Sequence, residues 1–412
     1  MDTAPGRWDR SVQRRQRRGN DRSQSFGTPA SGAVREGNVN RRDLVLGSSG
    51  LIAAGFCPAV LAQQQTVIKF GQSASLSGGQ AGYGKDVRDG IAAAFAAASK
   101  ADPKGPRFEL VTLDDGGVKD RCKANVKTLI DQGMVALVGL TSGAAAETVL
   151  PMVEEARIVM LGTASGNMGI RSDKLTMAYH VRSGYAEEYR RMIAYVKEFN
   201  MQRVGYVYLK DTSPANQAAM SSALDAVGLK LTVSLPIDRN SQSFDAEVEK
   251  LLAARLDCVL FTTNATPISA IVEKMSAGKY PGFYFSSSFA GQELIDDMAN
   301  KGKSIIMSQV VPRPNAVAAQ VVKRCQEDLA AHDKDARMGF TTLEGYIAGR
   351  VALEAARVAH KGGAVTRARF RDALSELNVD LGGYRAKFSP QSPHGSKFVD
   401  VVAIDRSGRI IG

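Results

Sequence analysis

The chain has 412 residues, 44% hydrophobic and 23% charged, enough for two domains with full cores, so disorder is excluded as its default state. Its net charge of +11 suggests nucleic acid until it is located: residues 1–62 alone hold ten Arg against five acidic residues. The remaining surplus is spread along the chain without a Lys/Arg cluster interleaved with aromatic residues, which excludes a phosphate-backbone footprint and a nucleic-acid partner.

In chain order, residues 1–40 are rich in Arg, Gly and Ser, show no periodicity and are not expected to fold alone. Either translation starts later, near Val34 or Val39, or the segment is a basic arm. Residues 41–62, RRDLVLGSSGLIAAGFCPAVLA, place two arginines before an apolar run broken by Gly47, Ser48, Ser49, Gly50 and Pro58. Such a run is a poor membrane span, and Val60 and Ala62 suit signal peptidase, so the segment reads as an export signal cleaved after Ala62. Arg41-Arg42 followed by Leu44 resembles a twin-arginine signal, and export places the protein in the periplasm. Cys57 is no lipid-anchor site, because Phe56 stands where a small residue is needed.

The segment GGQAGYGKD at 78–86 begins like a phosphate loop, with Gly79, Gly84 and Lys85 in register. Asp86 stands where a Ser or Thr hydroxyl would hold Mg²⁺, and Val87 breaks the dinucleotide fingerprint, so no nucleotide cofactor is expected. From Thr66 onward, short apolar runs alternate with helical patterns. TVIKFGQSA reads as a strand, followed by a helix opening near Gly84 with Val87, Ile91, Ala94, Phe95 and Ala98 on one face. RFELVTLDD, MVALVG and RIVMLG are the next strands, separated by helices at about 118–132 and 144–156. The rhythm restarts after AYHVRS, with helices at about 184–199, 214–227, 244–254 and 267–278 around the strands RVGYVYL, LKLTVSL, LDCVLFT and GFYFSS. Apolar strands so regularly separated by helices predict an α/β fold with parallel sheets covered on both faces. Helices at about 316–332, 340–361 and 366–378 complete the first unit, and the chain ends in strand-like runs around FVDVVAID. A chain visiting each unit twice crosses between them three times, which makes a hinge. Cys122, Cys258 and Cys325 are widely spaced and support neither a zinc site nor a disulfide framework, although one disulfide is conceivable in an oxidising periplasm. Cys258, inside DCVLF, reads as a small buried hydrophobe.

From residue 66 to 412 the sequence resembles the type I periplasmic solute-binding proteins, the branched-chain amino acid receptor family of ABC transporters. The resemblance rests on IKFGQSASLSGGQAGYGKDVRDGIAAAF, LVTLDD, ALVGLTSGAAAETVLPMVEEARIVMLGTAS and GGYRAKFSPQSPHGSKFVDVVAI. It implies two Rossmann-like lobes, here residues 63–183 with 312–383 and 184–311 with 384–412, joined by three hinge strands. A monomer holding a small carboxylate ligand between closing lobes and delivering it to an inner-membrane permease is the implied function. A ligand-sensing receptor subunit with the same fold is the alternative.

The candidate ligand contacts lie at the carboxyl ends of strands, where open α/β sheets bind ligands. Tyr83 sits in the loop after the first strand, where its ring would cover a ligand or else pack on the loop itself. Thr141 and Ser142 open a helix, so their hydroxyls stand beside free N–H groups at its positive end, although a plain N-cap explains them as well. The family pattern puts a carboxylate-binding serine here, matched by Ser142, or by Thr141 or Gly143 under a one-residue shift. Thr163, Ala164 and Ser165 match the second ligand loop, where turn formation alone would also account for Ser165. Asp211, Asn264 and Phe289 are the expected contacts from the second lobe. In this family an acidic residue after the strand matching GFYFSS neutralises the ligand ammonium. Ser288 stands at or near that position, and no acid occurs between Tyr280 and Glu293. Ser213-Pro214 replaces an aromatic ring found in many relatives. The carboxylate side of the pocket therefore looks intact and the ammonium side dismantled, with Asp211 the one carboxylate able to replace the missing acid.

No catalytic constellation accompanies these residues. His180, His332, His360 and His394 are not at zinc spacing, and GTASG places Ser165 one residue late for a nucleophile elbow. Neither enzyme activity nor a metal or cofactor is expected.

Overall fold

The computed structural model describes residues 65–241 and 243–411; the Arg-rich leader, the export signal and Cys57 lie outside them. The first lobe begins with β1 (Val67–Ala74), α1 (Ala81–Ala101), β2 (Arg107–Asp114), α2 (Lys119–Asp131), β3 (Ala136–Val138), α3 (Gly143–Glu155), β4 (Val159–Leu161) and β5 (Ala178–Tyr179). The second contains α4 (Tyr185–Glu198), β6 (Val204–Leu209), α5 (Pro214–Asp225), β7 (Leu231–Ile237), α6 (Asp245–Ala253), β8 (Cys258–Thr262), α7 (Ala265–Ala277), β9 (Phe283–Ser286), α8 (Gly291–Asn300) and β10 (Ile305–Gln309). Then come α9 (Gln320–His332), α10 (Phe340–Lys361), α11 (Arg367–Ser375), the ribbon β11 (Asn378–Asp380) and β12 (Arg385–Lys387), β13 (Asp400–Ile404) and β14 (Ile410–Ile411).

The first sheet has the order β2-β1-β3-β4-β5 with every pair parallel, and Phe70 lies opposite Ala136. The second has the order β14-β13-β10-β9-β8-β6-β7, parallel except where β13 pairs with β10 and β14. Central β8 is buried at every position, whereas edge strand β7 alternates and carries Pro236, whose missing N–H an edge tolerates. The α/β expectation thus holds, and the last two strands join the second sheet.

Helix α10 returns to the first lobe and packs along α1. A Cβ on Gly90 would lie 2.1 Å from the Thr342 carbonyl oxygen, and one on Gly345 2.2 Å from that of Val87, so two glycines permit the close crossing. One boundary departs from expectation. Helix α1 opens at Ala81, not near Gly84, because a 3₁₀ turn at Gly78–Gln80 runs straight into it. Gly84 serves packing instead of a turn, since a Cβ there would sit 1.9 Å from the Ser75 carbonyl oxygen. Cys122, Cys258 and Cys325 are buried and free, and the expected small hydrophobe at 258 is found. Among the described residues no helix is long and apolar enough to cross a membrane.

Candidate ligand-binding cleft between the lobes

On the first lobe, Ser142 caps α3. Its Oγ accepts from the Ala145 N–H at 3.3 Å and its carbonyl from the Ala146 N–H at 2.8 Å. The first N–H groups of a helix have no intrahelical acceptor, so those of Gly143 and Ala144, which line the cleft, present the positive helix end to it. The loop after β4 closes tightly on this terminus: Asn167 Nδ2 donates to the Gly143 carbonyl at 2.9 Å and to Glu147 Oε2 at 3.0 Å. The approach requires glycine at 143, where a Cβ would stand 2.3 Å from Ser165 Oγ.

On the second lobe the wall is formed by Leu209, Thr212, Asn216, Arg239, Thr262 and Phe289, with Tyr185 of α4 between the two sides. Arg239 Nη2 donates to both carboxylate oxygens of Asp211, at 2.8 and 2.9 Å, and Nη1 to Gln80 Oε1 of the first lobe at 3.3 Å. Its Nε is buried without a partner among the described residues. Asn216, 1% exposed, accepts from the Met168 N–H at 2.8 Å through Oδ1, while its Nδ2 is buried and unpartnered. The Met168 bond fixes the amide, since only the carbonyl oxygen can meet that donor.

The expected contacts separate into three groups. Ser142, Ser165 and Phe289 come together in the cleft lining. Tyr83, Thr141, Thr163, Ala164 and Ser288 are buried just behind it. Tyr83 lies in the first turn of α1 instead of a loop, donates to the Ala164 carbonyl at 2.6 Å and packs against Phe289 with centroids 5.5 Å apart. Burial, then the nearby Glu344, raises its phenol well above the ordinary range, so it remains a donor. Thr141 Oγ1 accepts from the Ser75 N–H at 2.9 Å, while Thr163 Oγ1 has no partner among the described residues. The third group stands apart from the lining. Asp211 is held at the exposed rim by Arg239 and Lys119, and Asn264, at the N-cap of α7, accepts from its neighbour Thr263 at 3.1 Å. Tyr185, Asn216 and Arg239 were missed, although Arg239 follows a strand's carboxyl end by two residues, the same signal that singled out the others.

Ser288 is occupied by a residue from the first crossover. Arg182, 1% exposed, donates to Ser288 Oγ at 2.6 Å, to Glu344 Oε1 of α10 at 3.2 Å, and to Glu188 of α4. Glu188 Oε2 also accepts from the Ser288 N–H at 2.9 Å and from Ser308 Oγ at 2.7 Å. Burial opposes the Arg182 charge, but Glu344 and Glu188 together outweigh it and hold the guanidinium protonated.

The two walls nearly meet, leaving a cavity of about 10 Å³ between them. Beyond the cleft, Arg337 pairs with Asp296 at 2.6 Å and Thr341 Oγ1 accepts from the Gln292 N–H at 3.1 Å, both across the lobes. A roomier groove of about 760 Å³ beside Tyr280, Phe283 and Ile305 lies where β9 and β10 begin, the end of a parallel sheet that ligands avoid.

Comparison with known proteins bears on this geometry. No curated protein matches the chain. A solved structure from Rhodopirellula baltica SH 1, described as a possible leucine/isoleucine/valine-binding protein, is similar at 24% identity and TM-score 0.79, covering 84% of this chain and 96% of that one. A substrate-binding periplasmic protein from Ralstonia solanacearum is similar at 25% identity and TM-score 0.75, covering 84% and 99%. An ABC-transporter solute-binding protein from R. palustris in complex with 4-hydroxybenzoate is similar at 15% identity and TM-score 0.72, covering 84% and 95%. The profile of the periplasmic binding protein family spans residues 67–409, and the chain belongs to that family, in its type I two-lobed form.

Proposed function

We propose that this protein is the periplasmic solute receptor of an ABC transporter, working as a monomer that binds and does not catalyse. It closes on a small carboxylate without an α-ammonium group and delivers it to an inner-membrane permease. One observation carries the choice of ligand: among the described residues lining the cleft there is no Asp or Glu, while the α3 terminus, Asn216 and Arg239 offer donors. A buried ammonium needs an anionic partner. Asp211 is engaged by Arg239 and Lys119, and Ser288, in the expected acid's place, faces the Arg182 guanidinium. Relatives described as binding branched-chain amino acids and 4-hydroxybenzoate share the fold, so fold alone does not choose between these classes.

Calorimetry with leucine and its keto acid, 4-methyl-2-oxopentanoate, tests the reading. The keto acid is expected to bind at least about tenfold more tightly, a difference of ~1.4 kcal/mol. Tighter binding of leucine, lost in Asp211→Asn, would show that the ammonium site had moved to another loop.

A further inference from the structure

We infer that the ligand carries a second anionic group, held by Arg239 and Asn216 opposite the α3 terminus, and that the receptor therefore selects short dicarboxylates. The inference rests on the carboxylate reading above and adds the chemistry of the ligand's far end.

Three observations on the second wall support it. Arg239 Nε and Asn216 Nδ2, on residues that line the cleft, are both buried without acceptors among the described residues. A buried donor left unpaired costs about 1–3 kcal/mol, more on a charged group, so two together point to an acceptor supplied from outside the chain. The amide cannot turn to relieve the strain, because Asn216 Oδ1 is held by the Met168 N–H at 2.8 Å. Charge agrees. Arg239 and Lys119 converge on the single carboxylate of Asp211, Arg239 at 2.8 Å and Lys119 at 3.9 Å, which leaves this corner one positive charge in excess. A ligand carboxylate accepting from Nε–H and from the amide would satisfy both donors and balance that charge. Arg suits the task because its planar fork can engage Asp211 and a second carboxylate on different edges.

Orientation follows. One carboxylate lies at the N–H groups of Gly143 and Ala144 and the other at Arg239, so each lobe grips one end and only the closed form grips both. The walls nearly meet, which favours a short spacer, and they must part by the ligand's own width to admit it.

The experiment is calorimetry of the exported, ligand-free protein with the matched pairs succinate and butyrate, and glutarate and pentanoate. The dicarboxylate of at least one pair should bind about 10- to 100-fold more tightly, as expected for hydrogen bonds to a charged group. Arg239→Met should reduce that preference to less than about threefold by weakening the dicarboxylate far more than the monocarboxylate. Asn216→Asp provides a second reading should Arg239→Met not fold: it keeps the acceptor for Met168 but turns the facing donor into an anion, and should weaken the dicarboxylate more than the monocarboxylate. Equal binding within both pairs, or a preference surviving both substitutions, overturns the inference and leaves the carboxylate reading standing. Binding of leucine with no binding of any of the four acids overturns both.

Discussion

On the first lobe the cleft is lined by backbone N–H groups at the start of α3, with Ser142, Ser165 and Asn167 locked around them; on the second it is lined by the side chains of Asn216, Arg239 and Phe289. Backbone donors cannot be exchanged by substitution and accept any carboxylate. Side chains can be exchanged, and under the proposed function such an exchange on the second wall would change ligand preference while capture persists on the first.

Substitutions that treat the walls unequally test this division. The largest effect is expected from Arg182→Met, because Arg182 ties both lobes together and its loss leaves Glu188 and Glu344 buried without their cation. Breaking such a pair costs about 3–5 kcal/mol, read as a lowered urea midpoint. Gly143→Ala should come next. Its new Cβ would overlap Ser165 Oγ and displace the backbone donors, weakening every carboxylate ligand by about tenfold or more, with a stability cost of about 1–3 kcal/mol. If it impaired one ligand and spared another, the first wall would also discriminate and the division would fail.

Ser142→Ala removes the bond to Ala145 while leaving the backbone in place, so a loss of about 1 kcal/mol in stability and a few-fold loss of affinity across all ligands are expected. A smaller effect concerns pH. Burial raises the Asp86 carboxyl to about 7, against the pull of Arg337 and reinforced by Asp89 on α1 and by Asp296 and Glu293 on α8. The folded form thus binds this proton more tightly than the unfolded chain. The contribution is fully present below the ordinary carboxylate range and is lost as pH rises through about 7. Buried His180, whose imidazole is pushed well below its ordinary range by burial, works in the opposite sense over this window, so the test is a difference: from about pH 5 to about pH 8 the Tm of the natural protein should fall by a few degrees relative to that of Asp86→Asn. Lys85→Ala, on the exposed side of α1, should change neither affinity nor stability; ATP binding lost in that variant would revive the phosphate-loop reading of 78–86.

How much of this was legible in the sequence depends on the range of each interaction. Strands such as β8 were visible because every residue is buried, and helices between them showed a local apolar period. The start of α1 was misplaced because Gly82 and Gly84 look like turn residues, whereas Gly84 is required by contact with Ser75, which periodicity does not report. The α3 terminus was found because a strand, a hydroxyl pair and a helix follow one another directly. Arg182 was invisible as a clamp, since its partners Ser288 and Glu344 lie 106 and 162 residues away. Arg239 was not singled out for the same reason: Gln80, its partner on the other lobe, is 159 residues distant. Asn264 shows the opposite error, a strand-end residue whose side chain accepts from the preceding Thr263 and lies outside the cleft lining.

The ion pairs joining the lobes outside the cleft have a kinetic consequence. Lys119–Asp211 and Arg337–Asp296 are partly solvent-exposed, with side-chain exposures of 39% and 36%, and 56% and 35%. At physiological ionic strength screening acts over about 8 Å, and exposed pairs contribute roughly 0–1 kcal/mol each. Their influence falls on how long the lobes stay shut more than on which solute is chosen. Residence time of the bound solute should shorten severalfold as salt rises while the ranking of ligands is preserved, so the medium outside the inner membrane would set the pace of release.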